Sequence, residues 1–358
     1  MLKPTSKLRL FLCQNGAQRI SMLASPSSSC SLLFNRSVGN SSDTPKELST
    51  AELFLHPKVQ RILKSITGFD VDKVFAQKPV KEYKSPKYLF LTDEELEMTR
   101  KRSEVEGAKT LEMPPVMDPL EEEEMILERA PEWKGFDYCK LIFTDISAGY
   151  TDRTRLIVVR DPDGTLRRAN WEERYRMNQT YFPVNGRSYL TPKMFEEENL
   201  QKVLDRHDYK FVLDRACIQF EPDDPRYIEI TRKTYDHIDE TQKYDELRST
   251  RQFGPLAFYL TRVGRIDGLL IDMIKRELIN DAAELVQLFY ILNPIKDRAF
   301  SSLDASNSLV VVEYYLKTHS KRRQLLDSAI REYRQTLVDR ASHAKGNREN
   351  QKLSAKNG

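Results

Sequence analysis

The sequence predicts a mainly α protein: a C-terminal array of packed helix pairs, a small α+β unit before it, and an extended N-terminal arm. Three observations carry that prediction. The stretch DGLLIDMIKRELINDAAELVQLFYIL, residues 267–292, has apolar residues in steps of three and four at Ile271, Ile274, Leu278, Ala282, Leu285, Phe289 and Leu292. A β-branched cluster surrounds the turn residues Asp161, Pro162, Asp163 and Gly164. Residues 113–131 combine prolines with an acidic run and show no periodicity.

In order along the chain, residues 1–42 hold Lys3, Lys7, Arg9, Arg19 and Arg36, ten serines and no acidic residue. Their mixture of bases with Leu8, Phe11, Leu12, Ile20 and Leu23 is the composition of a mitochondrial transit peptide, so import into the matrix is expected. Residues 43–135 are expected to form an extended arm with short helices. The first helix opens at His56 and Pro57, buries Val59, Ile62, Leu63 and Ile66, and stops at Gly68. A Lys/Pro-rich linker follows over 77–86, then a highly charged helix capped by Thr92 with Glu95 three positions on. The segment 113–131 is expected to be neither a long helix nor a sheet.

Residues 136–190 form the α+β unit. Residues 139–146 and 154–160 read as strands, the second turning through Asp161 to Gly164 into Thr165, Leu166, Arg167 and Arg168. Asn170 caps a helix with Glu173 three positions on. Residues 191–342 are helical: 191–206, 209–220, a helix opened by Asp224 and Pro225, then 244–263 with a break at Gly254 and Pro255, then 267–292 as one helix capped by Asp267 and about 36 Å long, and lastly 309–339. The tail 343–358 is expected to be disordered.

The net charge of +3 hides an asymmetry. Without the leader the chain carries 52 bases against 54 acids, and the part after residue 295 carries 13 against 7. Nucleic-acid contact must therefore be local. Cys13 and Cys30 fall in the leader, while Cys139 and Cys217 stand alone and read as reduced, buried thiols. No Cys/His cluster supports a metal, no nucleotide loop or catalytic motif is present, and the five histidines are scattered. The charges within 267–292 exclude a membrane span. No enzyme activity, cofactor, membrane or small-molecule substrate is expected.

What remains is arginine. Arg248, Arg251, Arg262 and Arg265 flank the helix before 267–292, Arg167 and Arg168 leave the DPDG turn, and Lys321, Arg322 and Arg323 open the basic C-terminal part. Such clusters hold phosphate oxygens by charge-assisted contacts, which position an RNA without reading its sequence. The competing reading is that they complement helix ends or sit solvated.

The runs FTDIS (143–147), RLIVVRDPDGTLRRANWEERYRM (155–177), FEEENL (195–200), YDELRSTRQFG (244–254) and RIDGLLIDMIKRELINDAAELVQL (265–288) resemble the mitochondrion-specific small ribosomal subunit protein family numbered twenty-two. The likeness spans roughly residues 53 to 293 in the same order and weakens in the leader and after Asn293. It implies a structural constituent of the mitochondrial small ribosomal subunit, with small-subunit rRNA and neighbouring mitochondrial ribosomal proteins as partners and no catalysis. It carries over no RNA-binding motif, so the arginine candidates rest on charge alone. The rival reading is a helical RNA-processing or translation factor of the matrix, which would need a repeating code of base-contacting residues. No such period is visible.

Overall fold

Apolar residues spaced three and four apart produce most of the helices, and the computed structural model of the chain gathers them around one core. It describes residues 49–76, 88–120, 125–130, 132, 139–152, 154–293 and 307–354. The leader and the 77–86 linker lie outside the described residues.

Helix α1 (Thr50–Leu55) begins with a capping box between Ser49 and Glu52. Helix α2 (Pro57–Thr67) has proline in its first turn and ends at Gly68, as expected. It buries Val59, Ile62, Leu63 and Ile66 and packs against α9 (Phe253–Val263) and α11 (Ile279–Leu292). This part of the expected arm is thus core, because an apolar stripe of that width must be covered. After the short α3 (Val71–Val74), helix α4 (Asp93–Thr110) carries the Thr92/Glu95 box. Its surface pairs are Lys101 with Glu97 and Arg100 with Glu104, and its one buried residue, Gly107, lies under the Phe69 ring.

The sheet has four antiparallel strands in the order β1-β4-β3-β2: β1 (Ile126–Arg129), β2 (Leu141–Thr144), β3 (Ile157–Arg160) and β4 (Thr165–Arg168). Strands β2 to β4 fall where the sequence places them, whereas β1 corrects the expectation of no sheet in 113–131. Residues 125–130 contain no proline, and the free edge of β4 supplies ladder partners, Arg168 N donating to Met125 O at 2.9 Å. Along β3 the buried Ile157 and Val159 alternate with half-buried neighbours. Helix α5 (Trp171–Tyr181) opens with the Asn170/Glu173 capping box.

The helical array follows. A 3-10 turn at Lys193–Phe195 precedes α6 (Glu197–Asp205), so the expected helix 191–206 is interrupted where Glu196 adopts extended backbone. Helix α7 (Tyr209–Gln219) matches its expected span, and α8 (Pro225–Thr241, capped by Asp224) opens where expected. The expected 244–263 helix is a 3-10 turn at Tyr244–Glu246 followed by α9. Pro255 sits in the first turn of α9, where a missing N–H costs little. A Cβ at Gly254 would lie 2.0 Å from the Met113 sulfur, so that side chain would have to move to admit one.

The expected single helix 267–292 is two: α10 (Asp267–Lys275) and α11, separated by a turn with Glu277 at φ +65°. Breaking the stripe lets its two halves face different neighbours. Helix α10 packs on α13 (Arg323–Ser354), while α11 packs on α2, α9 and α12 (Ser308–Thr318). The expected 309–339 helix is likewise divided into α12 and α13. Helix α13 then continues to Ser354, into the segment expected as a disordered tail. Ala344, Lys345, Arg348, Glu349, Gln351 and Leu353 are good helix formers, and a single Gly346 costs only about 1 kcal/mol against alanine.

Cys139 is exposed, not buried as expected, and Cys217 is half-buried beside the Tyr227 hydroxyl at 3.5 Å. No described helix is long and apolar enough to cross a membrane.

Candidate nucleic-acid interface

The candidate cations separate into two kinds once their neighbours are known. Arg248, in the turn before α9, reaches Asp281 on α11 and lies over the Phe253 ring at 5.5 Å, with only 12 % of its side chain exposed. Burial lowers the Arg248 guanidinium and raises the Asp281 carboxyl from their ordinary values, by more than their mutual attraction restores. Arg251 pairs with Asp214 on α7 at 2.8 Å. Arg265, just past α9, binds Asp236 and stands 3.7 Å from Asp239, both on α8. For Arg251 and Arg265, burial pulls the guanidinium down, and the adjacent carboxylates more than offset it. These three arginines tie helices together.

Arg262 is exposed, and its guanidinium donates to the Thr50 hydroxyl, which in turn binds Asp118. Arg167 projects toward α5 and makes a two-carboxylate clamp, with Asp161 at 2.6 Å and Glu173 at 2.9 Å. The Arg167 hydrogen bonds hold the Glu173 pKa down at about 2. Its neighbour Arg168 points to the other face of β4 by strand alternation and is exposed. Arg168, Val158 and Phe143 are opposite one another on β4, β3 and β2, so a cation and a half-exposed ring share one row of the open sheet face.

Lys321, Arg322 and Arg323 are exposed at the start of α13. Their backbone is held by Asp267, which is 6 % exposed. Its carboxylate accepts from Lys321 N at 2.8 Å, Arg322 N at 2.9 Å and the Tyr315 hydroxyl at 2.9 Å. Asp267 therefore does not cap its own helix, which has no side-chain cap; it caps α13 instead. A negative group at a helix N-terminus is favourable, and here it also fixes the direction from which three cations project. Gly268 permits the close packing beside it, because a Cβ would lie 2.3 Å from the Tyr244 hydroxyl.

Sequence reasoning missed Arg155, which is 2 % exposed. It donates to the carbonyls of Asp145 (2.7 Å), Ser147 (3.2 Å) and Tyr150 (3.0 Å) and stacks on Phe182 at 3.5 Å, closing the loop between β2 and β3. It missed Arg187 as well, which joins Asp152 to Glu221. Only the apolar run that follows Arg155, Leu156 to Val159, hinted at its burial. A further surface is apolar: Tyr88, Leu89, Phe90 and Leu91 stand exposed ahead of α4, Phe90 completely so. Among the described residues, no three His, Cys, Asp or Glu side chains converge as a metal set.

The model of the family described as mitochondrial 28S ribosomal protein S22 matches residues 52–294. The chain is similar to small ribosomal subunit protein mS22 of Bos taurus, 42% identical over 288 residues that cover 80% of this chain and 79% of the relative. It is also similar to small ribosomal subunit protein mS22 of Mus musculus, 39% identical over 291 residues that cover 81% and 80%.

Proposed function

The chain belongs to the mitochondrial 28S ribosomal protein S22 family and serves as a structural constituent of the mitochondrial small ribosomal subunit, and we propose that it holds its place mainly through protein neighbours, with a few cations as phosphate anchors. Its location is the mitochondrial ribosome, and the family is a structural one with no enzyme activity. Within the particle its partners are rRNA and other ribosomal proteins.

The observation that carries the finer reading is the separation of the candidate cations. Lys321, Arg322, Arg323 and Arg168 are exposed, whereas Arg167, Arg248, Arg251 and Arg265 meet carboxylates of the chain itself. Exposed cations release counterions when they meet phosphate, so they carry the RNA attachment. Arg262, whose one side-chain partner among the described residues is a hydroxyl, belongs with the exposed group. With two more acids than bases after residue 42, general attraction to RNA is weak. The exposed 88–91 segment and the open sheet face supply apolar area for protein contact.

The test is assembly in mitochondria whose own copy is depleted, followed by sucrose-gradient sedimentation. Lys321→Glu with Arg322→Glu and Arg323→Glu is expected to shift the chain out of the small-subunit peak, and unchanged co-sedimentation removes the triplet as an anchor. A chain found wholly outside that peak without any substitution would favour the transient RNA-processing factor.

A further inference from the structure

Helices α8 and α9 and the segment 115–118 enclose a cavity of about 380 Å³, within the size range of small-molecule sites. Its walls include Tyr227 and Tyr235 from α8 and Phe258 and Tyr259 from α9, with the Asp118 carboxylate beside Thr50. Tyr227 and Tyr235 lie about two turns apart along α8, and Phe258 and Tyr259 are consecutive on α9. The Tyr235 and Tyr259 rings are 5.5 Å apart and tilted by 42°. One guanidinium comes from each helix, Arg232 and Arg262. Arg262 is steadied by Thr50, and Arg232 is exposed with no hydrogen bond or ion pair among the described residues. The Tyr235 side chain is 5 % exposed, and its hydroxyl has no hydrogen-bond partner among the described residues. Burial raises its pKa, so it stays a neutral donor.

Tyr235 lines the cavity, so its hydroxyl is left for whatever enters there. An aliphatic or proline side chain would fill the trough and leave the Tyr235 hydroxyl and the Arg232 guanidinium unmet. An acidic peptide would satisfy the guanidiniums and waste the stacking surface. A nucleotide satisfies all three, because its flat base packs on tyrosine, its polar edge meets the hydroxyl, and its phosphate meets arginine.

We propose that this cavity is a nucleotide-binding site, with the base beside Tyr227, Tyr235 and Tyr259 and the phosphate held by Arg232 and Arg262. The nucleotide is either free or an unstacked residue of an RNA strand; only the second source rests on the ribosomal reading above.

The experiment is equilibrium binding of the purified full-length chain to two probes, adenosine 5′-monophosphate and a short single-stranded RNA, with an acidic peptide as competitor. Saturable binding is expected for at least one probe. Arg232→Ala should weaken it about tenfold, and Tyr235→Phe about fivefold, as the loss of a charged and a neutral hydrogen bond implies. Lys101→Ala, on the surface of α4, should leave binding of both probes unchanged, and circular dichroism of each variant confirms its fold. Equal affinity for the two probes identifies a free nucleotide, and binding of RNA alone identifies a strand residue. The proposal is overturned if neither probe binds, if binding ignores both Arg232 and Tyr235, or if the peptide binds and the nucleotides do not. RNA binding that depends on the Lys321 to Arg323 triplet but ignores Arg232 and Tyr235 leaves the ribosomal role intact and removes only the cavity.

Discussion

The arginines around α9 and the basic triplet that opens α13 lie on opposite sides of one principle. In the first region Arg248, Arg251 and Arg265 face Asp281, Asp214 and Asp236. In the second, a buried carboxylate directs its hydrogen bonds to backbone amides and leaves the cations of Lys321, Arg322 and Arg323 outside. Both regions are equally basic to the eye that reads residues alone. The difference is whether an acid from another helix arrives at the guanidinium or at the backbone behind it. Where it arrives at the guanidinium, arginine is a structural tie; where it arrives at the backbone, arginine is an offered charge.

The comparison can be broken from either side. The largest expected effect is at its pivot: Asp267→Ala removes the acceptor of three hydrogen bonds in a buried place and should cost about 3 kcal/mol in urea unfolding. A loss below about 0.5 kcal/mol, the level of an ordinary surface change, would mean that the carboxylate does not hold the triplet. Next, Arg248→Ala leaves Asp281 half-buried and unpaired and should cost about 2 kcal/mol, with a double-mutant cycle to Asp281→Ala showing coupling. Simple additivity of the two losses would show that the tie is not one.

The Arg167 clamp predicts a pH effect in the sheet unit. Glu173 has a folded pKa of about 2 against an ordinary 4.5. A depressed carboxylate contributes stability that is fully present above the unfolded value and is lost as pH falls through the folded one. Stability should therefore decline between pH 4.5 and about 2, and Glu173→Gln should flatten that part of the curve in acid titrations followed by near-ultraviolet circular dichroism. An unchanged acid limb would remove Glu173 from the account. The smallest effect on stability belongs to the triplet: Lys321→Ala with Arg322→Ala and Arg323→Ala should change unfolding by less than about 0.5 kcal/mol. The same variant should reduce the salt dependence of RNA binding by about 0.7 to 0.9 in slope for each phosphate that is no longer neutralised. A large stability loss with an unchanged slope would reverse the assignment of the two regions.

Local chemistry was legible. The boxes Thr92 with Glu95 and Asn170 with Glu173 need only four consecutive residues, and both form. So do the helix starts at Pro57 and Pro225 and the hairpin through Asp161 to Gly164. Strand β1 was not legible, because its partner β4 lies some forty residues away and its own four residues are exposed. The break at Glu277 was hidden for a related reason: periodicity continues through it, and only the need to face two different sets of helices divides α10 from α11. Of the candidate cations, the sequence could locate each one but not its partner. The cavity between α8 and α9 gave no signal, since tyrosine at helical spacing reads as ordinary core.

The sequence by itself determined the helical class, the caps and turns, and, through its unusual motifs, the ribosomal family, because each depends on residues close together or on their order. The tertiary structure alone decided which charges are free. Asp267 meets Lys321 and Arg322 across more than fifty residues, and the electrostatic state of a side chain depends on what lies within a few ångströms in space, whatever the separation along the chain.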